Sequence, residues 1–263
     1  SEYLVDIVEV GDYVDIGISY ENKQDFEAYN SYITTTSALT GWRVLSKSGS
    51  GATGTVKLVS AGCPLQYYHE YGKLSTSILN LENLNKELII VETGTIGFIA
   101  NGFESNNLTT VFTTDKYIDT EKGVHALGCS THFVTDSGTL ATAYEPLNEI
   151  EKAYQTITGT TKTMTDLYSM RYALGTTTLQ TVASSNWKES YTDLLGNGQD
   201  YLLGGASNSS SCLWFVFNNG YVDYCSSGTY GVRPVVSLQS GVKIASNNAG
   251  DGSSSDSAYS ITK

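Results

Sequence analysis

The stretch Cys212-Leu213-Trp214-Phe215-Val216-Phe217-Asn218-Asn219-Gly220-Tyr221-Val222-Asp223-Tyr224-Cys225, closed by Tyr230-Gly231-Val232-Arg233-Pro234-Val235-Val236-Ser237-Leu238, decides how this chain is read. It reads as a β-hairpin. Asn219-Gly220 supplies the left-handed backbone that a tight turn requires, and β-forming residues crowd both sides of it. Side chains alternate along a strand, so Trp214, Val216 and Val222 are expected to enter the core, with Val216 opposite Val222. Phe215, Phe217, Tyr221 and Asp223 are then expected to point out. A plain hairpin would carry Thr, Lys or Glu at those outward positions. A row of exposed rings is rare unless it touches something, so this hairpin is the first candidate for a binding surface.

The rest of the composition suits that reading. Nineteen Tyr, abundant Ser, Thr, Asn and Gly, and only three Pro in 263 residues fit strands joined by many tight loops. Aromatic content of 11% argues against disorder. Acids exceed bases 27 to 15, for a net charge of −12, and residues 1–40 open with a strongly acidic segment. Such a charge repels a phosphate backbone, so nucleic acid is not an expected partner. No run of about 18 apolar residues occurs, so no membrane-spanning helix is expected. Ser1 in place of Met reads as a matured or trimmed chain.

Along the chain, residues 8–19 alternate as an opening strand. Residues 41–47 and 55–60 read as a strand pair joined by the Ser/Gly-rich loop 48–54. Helices are expected over 76–87, 106–113, 146–156 (entered at Pro146, with Ile150, Ala153 and Tyr154 on one face), 166–173 (capped by Thr165) and 187–195. Strands dominate from Tyr201 to Ile244. Residues 245–263 read as a polar tail, with Ala258-Tyr259-Ser260-Ile261 as a candidate edge strand. Strands at both ends and helices between them give an α+β plan in which the terminal segments meet. With no repeat and no Pro-rich linker, residues 1–263 are read as a single domain.

Four cysteines in such a chain suggest export and disulfides. Three pairings exist. Cys63 with Cys129 is the structural bond expected; Cys212 and Cys225 flank the hairpin but face opposite ways in the register above, which opposes a bond between them unless a bulge shifts the register. Cys63, His69, His125, Cys129 and His132 bring five soft ligands into two short segments, but their spacing matches no standard zinc module. The histidines are read as surface groups, and no metal or other cofactor is expected. Ser48-Gly49-Ser50-Gly51 lies in a hairpin loop and is no nucleophile elbow. Glu145-Pro146 reads as a helix start and not a calcium ligand. Glu149 and Glu151 lie on different faces of one helix, a poor geometry for shared acid–base chemistry. Arg233, enclosed by Val232 and Pro234, must be buried with a carboxylate or several carbonyls, and a structural salt bridge is expected.

The ordered set Tyr201-Leu202-Leu203-Gly204-Gly205-Ala206, Leu213-Trp214 with Val216, Gly220 and Val222, and Tyr230 through Leu238 resembles the end of a C-type-lectin-like fold. The branch it is most similar to is that of the formylglycine-generating enzymes, which includes the variable proteins of diversity-generating retroelements. Gly41 to Ser46, Leu58 to Pro64 and Thr158 to Tyr168 resemble bacterial surface and pilin-like proteins with the same ending. The likeness runs from about residue 41 to 244. It implies a C-type-lectin-like frame with paired terminal strands, central helices and a C-terminal ligand-binding hairpin. It also implies that residues 203–235 form a region diversified by adenine-directed mutagenesis of Asn-type codons. Asn208, Ser210, Ser211, Cys212, Phe215, Phe217, Tyr221, Asp223, Tyr224, Cys225 and Ser226 resemble altered or surviving Asn positions. All of these except Cys212 are the expected ligand contacts.

The function expected is therefore a non-enzymatic binding module, an adhesin or variable protein on a bacterial surface or pilus. Its expected ligand is a protein or glycan on another cell or phage. The alternatives are a formylglycine-generating-like oxidase using Cys212 and Cys225, which their spacing and opposed facing do not favour, and a phage receptor-binding protein.

Overall fold

Leu58-Val59 and Val235-Val236 each place apolar residues side by side in a strand. Neighbours on a strand point to opposite faces, so both faces of these strands must be covered. A computed structural model describes residues 2–17, 39, 41–63, 65–69, 88–91, 95–98, 117–119, 122, 124–129, 148–170, 192–206, 213–218, 220–224 and 228–263. In it, Leu58 and Val236 belong to one buried cluster, Val59 and Val235 to a second. The chain is α+β, mostly sheet with few helices.

A seven-stranded sheet has the order β13(Lys243–Ile244), β14(Tyr259–Thr262), β1(Tyr13–Asp15), β2(Trp42–Ser48), β3(Thr55–Ser60), β12(Pro234–Ser237), β7(Val124–Ala126). A five-stranded sheet runs β10(Val222–Tyr224), β9(Leu213–Val216), β8(Tyr201–Ala206), β11(Gly228–Val232), β4(Leu65–His69), and β5(Leu88–Val91) pairs with β6(Thr95–Phe98). Among the described residues the α-helices are α1(Leu4–Ile7), α2(Glu149–Thr158), α3(Met164–Ser169) and α4(Thr192–Leu195). The terminal strands do meet: β1 lies parallel to β14, with Val14 opposite Tyr259.

Several expectations shift. The opening strand is shorter than residues 8–19, since α1 and a turn precede β1. Residues 245–263 are no mere tail and β14 is no edge strand, because β13 and β1 flank it and satisfy its backbone on both sides. The β2–β3 pair forms as read, with a register shift between Val44 and Ser46. Helix α2 starts at Glu149, after Asn148, and buries Ile150, Ala153 and Tyr154 as its pattern implied. Helix α3 starts earlier than expected because Thr163, not Thr165, caps it. The Asp166 N–H donates to Thr163 Oγ1 at 3.1 Å, and the Thr163 N–H donates to Asp166 Oδ2 at 2.9 Å. Those bonds, the backbone one foremost, hold the exposed Asp166 carboxyl below its ordinary range. The segments 76–87 and 106–113 lie outside the described residues. Among the described residues no helix is long and apolar enough to cross a membrane.

Two short links among the described residues carry the chain from one large sheet to the other, Ala61–Cys63 between β3 and β4 and Arg233 between β11 and β12. Arg233 is fully buried. Its Nε and Nη2 donate to the Ser60 carbonyl at 2.9 and 2.7 Å, and its Nη1 donates to the Leu194 carbonyl. Its guanidinium carbon lies 4.9 Å from the centroid of the Tyr201 ring. The expected salt bridge is thus replaced by carbonyls and a ring; among the described residues no carboxylate pairs with Arg233. The end of β3 and helix α4 already hold these carbonyls at one point, so the fork has its acceptors without burying a second charge. Beneath this crossing Cys63 packs on Gly231, where an added Cβ would stand 2.5 Å from the Cys63 sulfur.

We expect Arg233→Lys to lower stability by roughly 3 kcal/mol, since an ammonium cannot reach both carbonyls as a planar fork does. Urea unfolding would show this as a lowered midpoint at unchanged slope; an unchanged midpoint would mean that the crossing holds without it.

Candidate functional site

The hairpin of β9 and β10 keeps the expected register, Val216 opposite Val222, Phe215 opposite Asp223 and Trp214 opposite Tyr224. Its turn closes with the Phe217 N–H on the Tyr221 carbonyl and the Gly220 N–H on the Phe217 carbonyl, each 2.8 Å. Gly220 has a φ of +93°, a backbone that a side chain would strain. The segment after α4 anchors the tip: the Asn218 N–H donates to Asp200 Oδ1 at 2.8 Å, and the Gly198 N–H donates to the Asn218 carbonyl at 3.1 Å. Burial raises the Asp200 carboxyl above its ordinary range, and the Asn218 N–H offsets part of that rise.

The two faces of the hairpin differ from the expectation. Trp214, Val216 and Val222 do enter a core, the one lined by α2 and α3. Phe215, expected outside, is only 6% exposed and belongs to the other core, with Leu202, Leu213, Trp42 and Leu58. The alternation was right but the assumption of one wet face was not, because residues of the seven-stranded sheet cover that side. Phe215 therefore holds the frame together and is not a ligand contact.

Rings reach solvent only where this double cover ends. At the tip, half-buried Phe217 and Tyr221 stack with centroids 4.8 Å apart and planes 6° apart, and Phe217 leans on Phe215 at 6.0 Å. Phe215 in turn packs on Tyr230 at 5.0 Å. At the other end and on the opposite face, Tyr224 is 40% exposed. It lies 4.9 Å from Tyr168, and both rings lie 6.0 Å from Trp214. The Tyr168 hydroxyl donates to the Tyr224 hydroxyl at 3.3 Å. Trp214 is only 4% exposed, and its Nε1 has no hydrogen-bond acceptor among the described residues. Asp223 is half-buried, and its Oδ1 accepts from the Tyr224 N–H at 2.8 Å.

Of the expected contacts, the structure thus brings Phe217 and Tyr221 to the tip, and Asp223 and Tyr224 to the far end. Asn208, Ser210, Ser211, Cys212, Cys225 and Ser226 lie outside the described residues. Tyr168 joins the site unannounced: it sits beside buried Leu167 on α3, and only the docking of α3 on β10 brings it to the hairpin. The site presents ring faces, hydroxyls and a carboxylate, groups suited to contact with a partner.

The expected Cys63–Cys129 bond is not formed; both residues are buried thiols. Cys63 faces Gly231 and hydrogen-bonds with the Asn197 side chain, and burial pushes its thiol up to about 12. His69 lies on β4 and His125 on β7, in different sheets. His132 and Glu145-Pro146 fall outside the described residues. Among the described residues no group of three or more His, Cys, Asp or Glu could hold a metal. No family model matches the chain, nor does any curated protein or solved structure.

Two outcomes follow from this geometry. Phe215→Ala should cost about 3–5 kcal/mol, and Tyr224→Ala should stay within about 0.5 kcal/mol, both read by chemical denaturation; the reverse order would place the core on the wrong side of β9. For Asp200 the folded pKa lies above the unfolded one. Its stabilising contribution is therefore complete below the unfolded value and lost as pH rises through the folded one. Asp200→Asn keeps an acceptor for Asn218, so in thermal melts wild type should gain on the variant as pH falls from neutral through the carboxylate range.

Proposed function

We propose that this chain is a non-enzymatic binding protein that presents the aromatic ends of the β9–β10 hairpin to a macromolecular ligand. The observation that carries the reading is the exposed Tyr224 ring, paired with Tyr168 and braced on the buried Trp214. Tyrosine gives a large contact area with few rotors to freeze, as in antibody loops. Its support here is a strand covered on both faces, so little affinity is lost to ordering on contact. The stacked pair Phe217–Tyr221 offers a second such area at the tip.

On this reading the frame is of the C-type-lectin-like kind, and residues 203–235 are a retroelement-diversified region of a protein on a bacterial surface or pilus. The residue types between fixed Trp214, Val216, Gly220 and Val222 support it. The correction at Phe215 narrows the proposal: the contacts are Phe217, Tyr221, Asp223 and Tyr224, joined by Tyr168 and by the sequence-assigned Asn208, Ser210, Ser211, Cys225 and Ser226. The ligand is a protein or glycan on another cell or phage.

Screening the wild-type chain against a glycan array and a panel of immobilised surface proteins should find a specific binder that Tyr168→Ser/Tyr224→Ser loses while melting within a few degrees of wild type. A binder held equally by both proteins would move the site away from these rings. A large drop in melting temperature would instead show that the pair belongs to the core.

A further inference from the structure

We infer that Tyr168 and Tyr224 form an oxidative modification site, at which a one-electron oxidant of the haem-peroxidase class joins the two phenols into a dityrosine cross-link. This goes beyond the binding reading and does not depend on it. The first support is the pairing of the rings. Their centroids lie 4.9 Å apart with planes at 37°, and their hydroxyl oxygens are 3.3 Å apart in a hydrogen bond. Dityrosine joins the ring carbons next to the oxygens, so its two oxygens flank the new bond and can share a proton. Neighbouring hydroxyls and a twist between the rings are therefore already the arrangement of the product. The Phe-containing pairs of the hairpin cannot react this way, since Phe217–Tyr221 and Phe215–Tyr230 hold one phenol each.

The second support is access combined with rigidity. The Tyr224 ring is exposed, so an oxidant in solution reaches it, while Trp214 behind it is buried and screened from direct attack. Tyr168 is held by α3, which has a capping box at Thr163 and Asp166 and buries Met164 and Leu167. Tyr224 is held opposite Trp214 in the β-ladder. Groups fixed in contact react as though at enormous concentration, roughly 10⁵ M or more in well-oriented cases, so a radical on Tyr224 meets Tyr168 before it meets a second chain. Each phenol gives one electron to the oxidant and its O–H proton to solvent. One carbon–carbon bond then forms between the two Cε atoms. Each of those carbons loses its hydrogen as a proton while its oxygen regains one from water, and both phenols are restored. The chain ends two hydrogens lighter, and one hydrogen peroxide, taking up two electrons and two protons, becomes two waters. Tyr168 and Tyr224 are 56 residues apart in sequence. The link therefore closes a long loop and fastens α3 to β10, the last strand of its sheet.

The test treats the full chain, at low protein concentration, with a haem peroxidase and hydrogen peroxide. Peptide mapping by mass spectrometry should find a monomer two hydrogens lighter, in which the peptides holding Tyr168 and Tyr224 are joined, and the monomer should show dityrosine fluorescence. Tyr168→Phe and Tyr224→Phe keep the rings and remove a phenol, and each should abolish both signals. The cross-linked monomer should melt higher than the untreated chain by roughly 5 °C or more. A dominant link between other tyrosines, links only between chains, or no dityrosine at all would each overturn the inference. Equal monomer fluorescence in wild type and both variants would do the same. The wild-type peptide map decides by itself if either variant fails to fold. Ligand capture by the hairpin is read separately on the array, so the two proposals fail independently.

Discussion

The buried guanidinium of Arg233 is the constraint on which the rest of the structure depends. A charge taken out of water must find its partners, and Arg233 finds the carbonyl that ends β3, a carbonyl of α4 and the ring that opens β8. Those groups come from both large sheets and from the helix between them in sequence. Fixing them together fixes where β8 starts. Strand β9 pairs with β8 and β10 with β9, so the position of the hairpin follows from that one crossing. Cys63 and Gly231 sit beside it for the same reason: the close approach leaves room for one side chain only.

From that anchor outward, the hairpin is stiff where it is covered and aromatic where the cover stops. Phe215 and Trp214 face opposite cores from neighbouring positions. Each supports rings beyond it, Phe217 and Tyr221 at the tip and Tyr168 and Tyr224 at the far end. The tip is also tied by Asp200, through a carboxylate that keeps a backbone N–H at the expense of its own hydration. Tyr224, the most exposed of these rings, belongs to neither core, so that position can change without moving the frame.

The parts legible in the sequence are those set by local pattern. The β2–β3 pair, the register of Val216 with Val222 and the glycine turn at Gly220 depend on residues close together in the chain. The meeting of the terminal segments was legible too, from strands expected at both ends of the chain with helices between them. Phe215 was misplaced because period two reports alternation but not which face is wet, and its cover comes from Trp42 and Leu58, far away in sequence. Arg233 announced its burial through apolar neighbours, but not that carbonyls and a ring would replace a carboxylate. The polar composition of residues 245–263 let β14 be read as an edge strand, although β13 and β1 pair with it on both sides. Tyr168 escaped notice because helix phase says nothing of what a helix docks against.

The parallel pairing of β1 with β14 has a mechanical consequence. A pull exerted between the start of β1 and the end of β14 runs along both strands in opposite senses. The rungs of that ladder are then loaded together, in shear, instead of being peeled apart one by one. A domain held at those two points would therefore resist tension best along the strand direction.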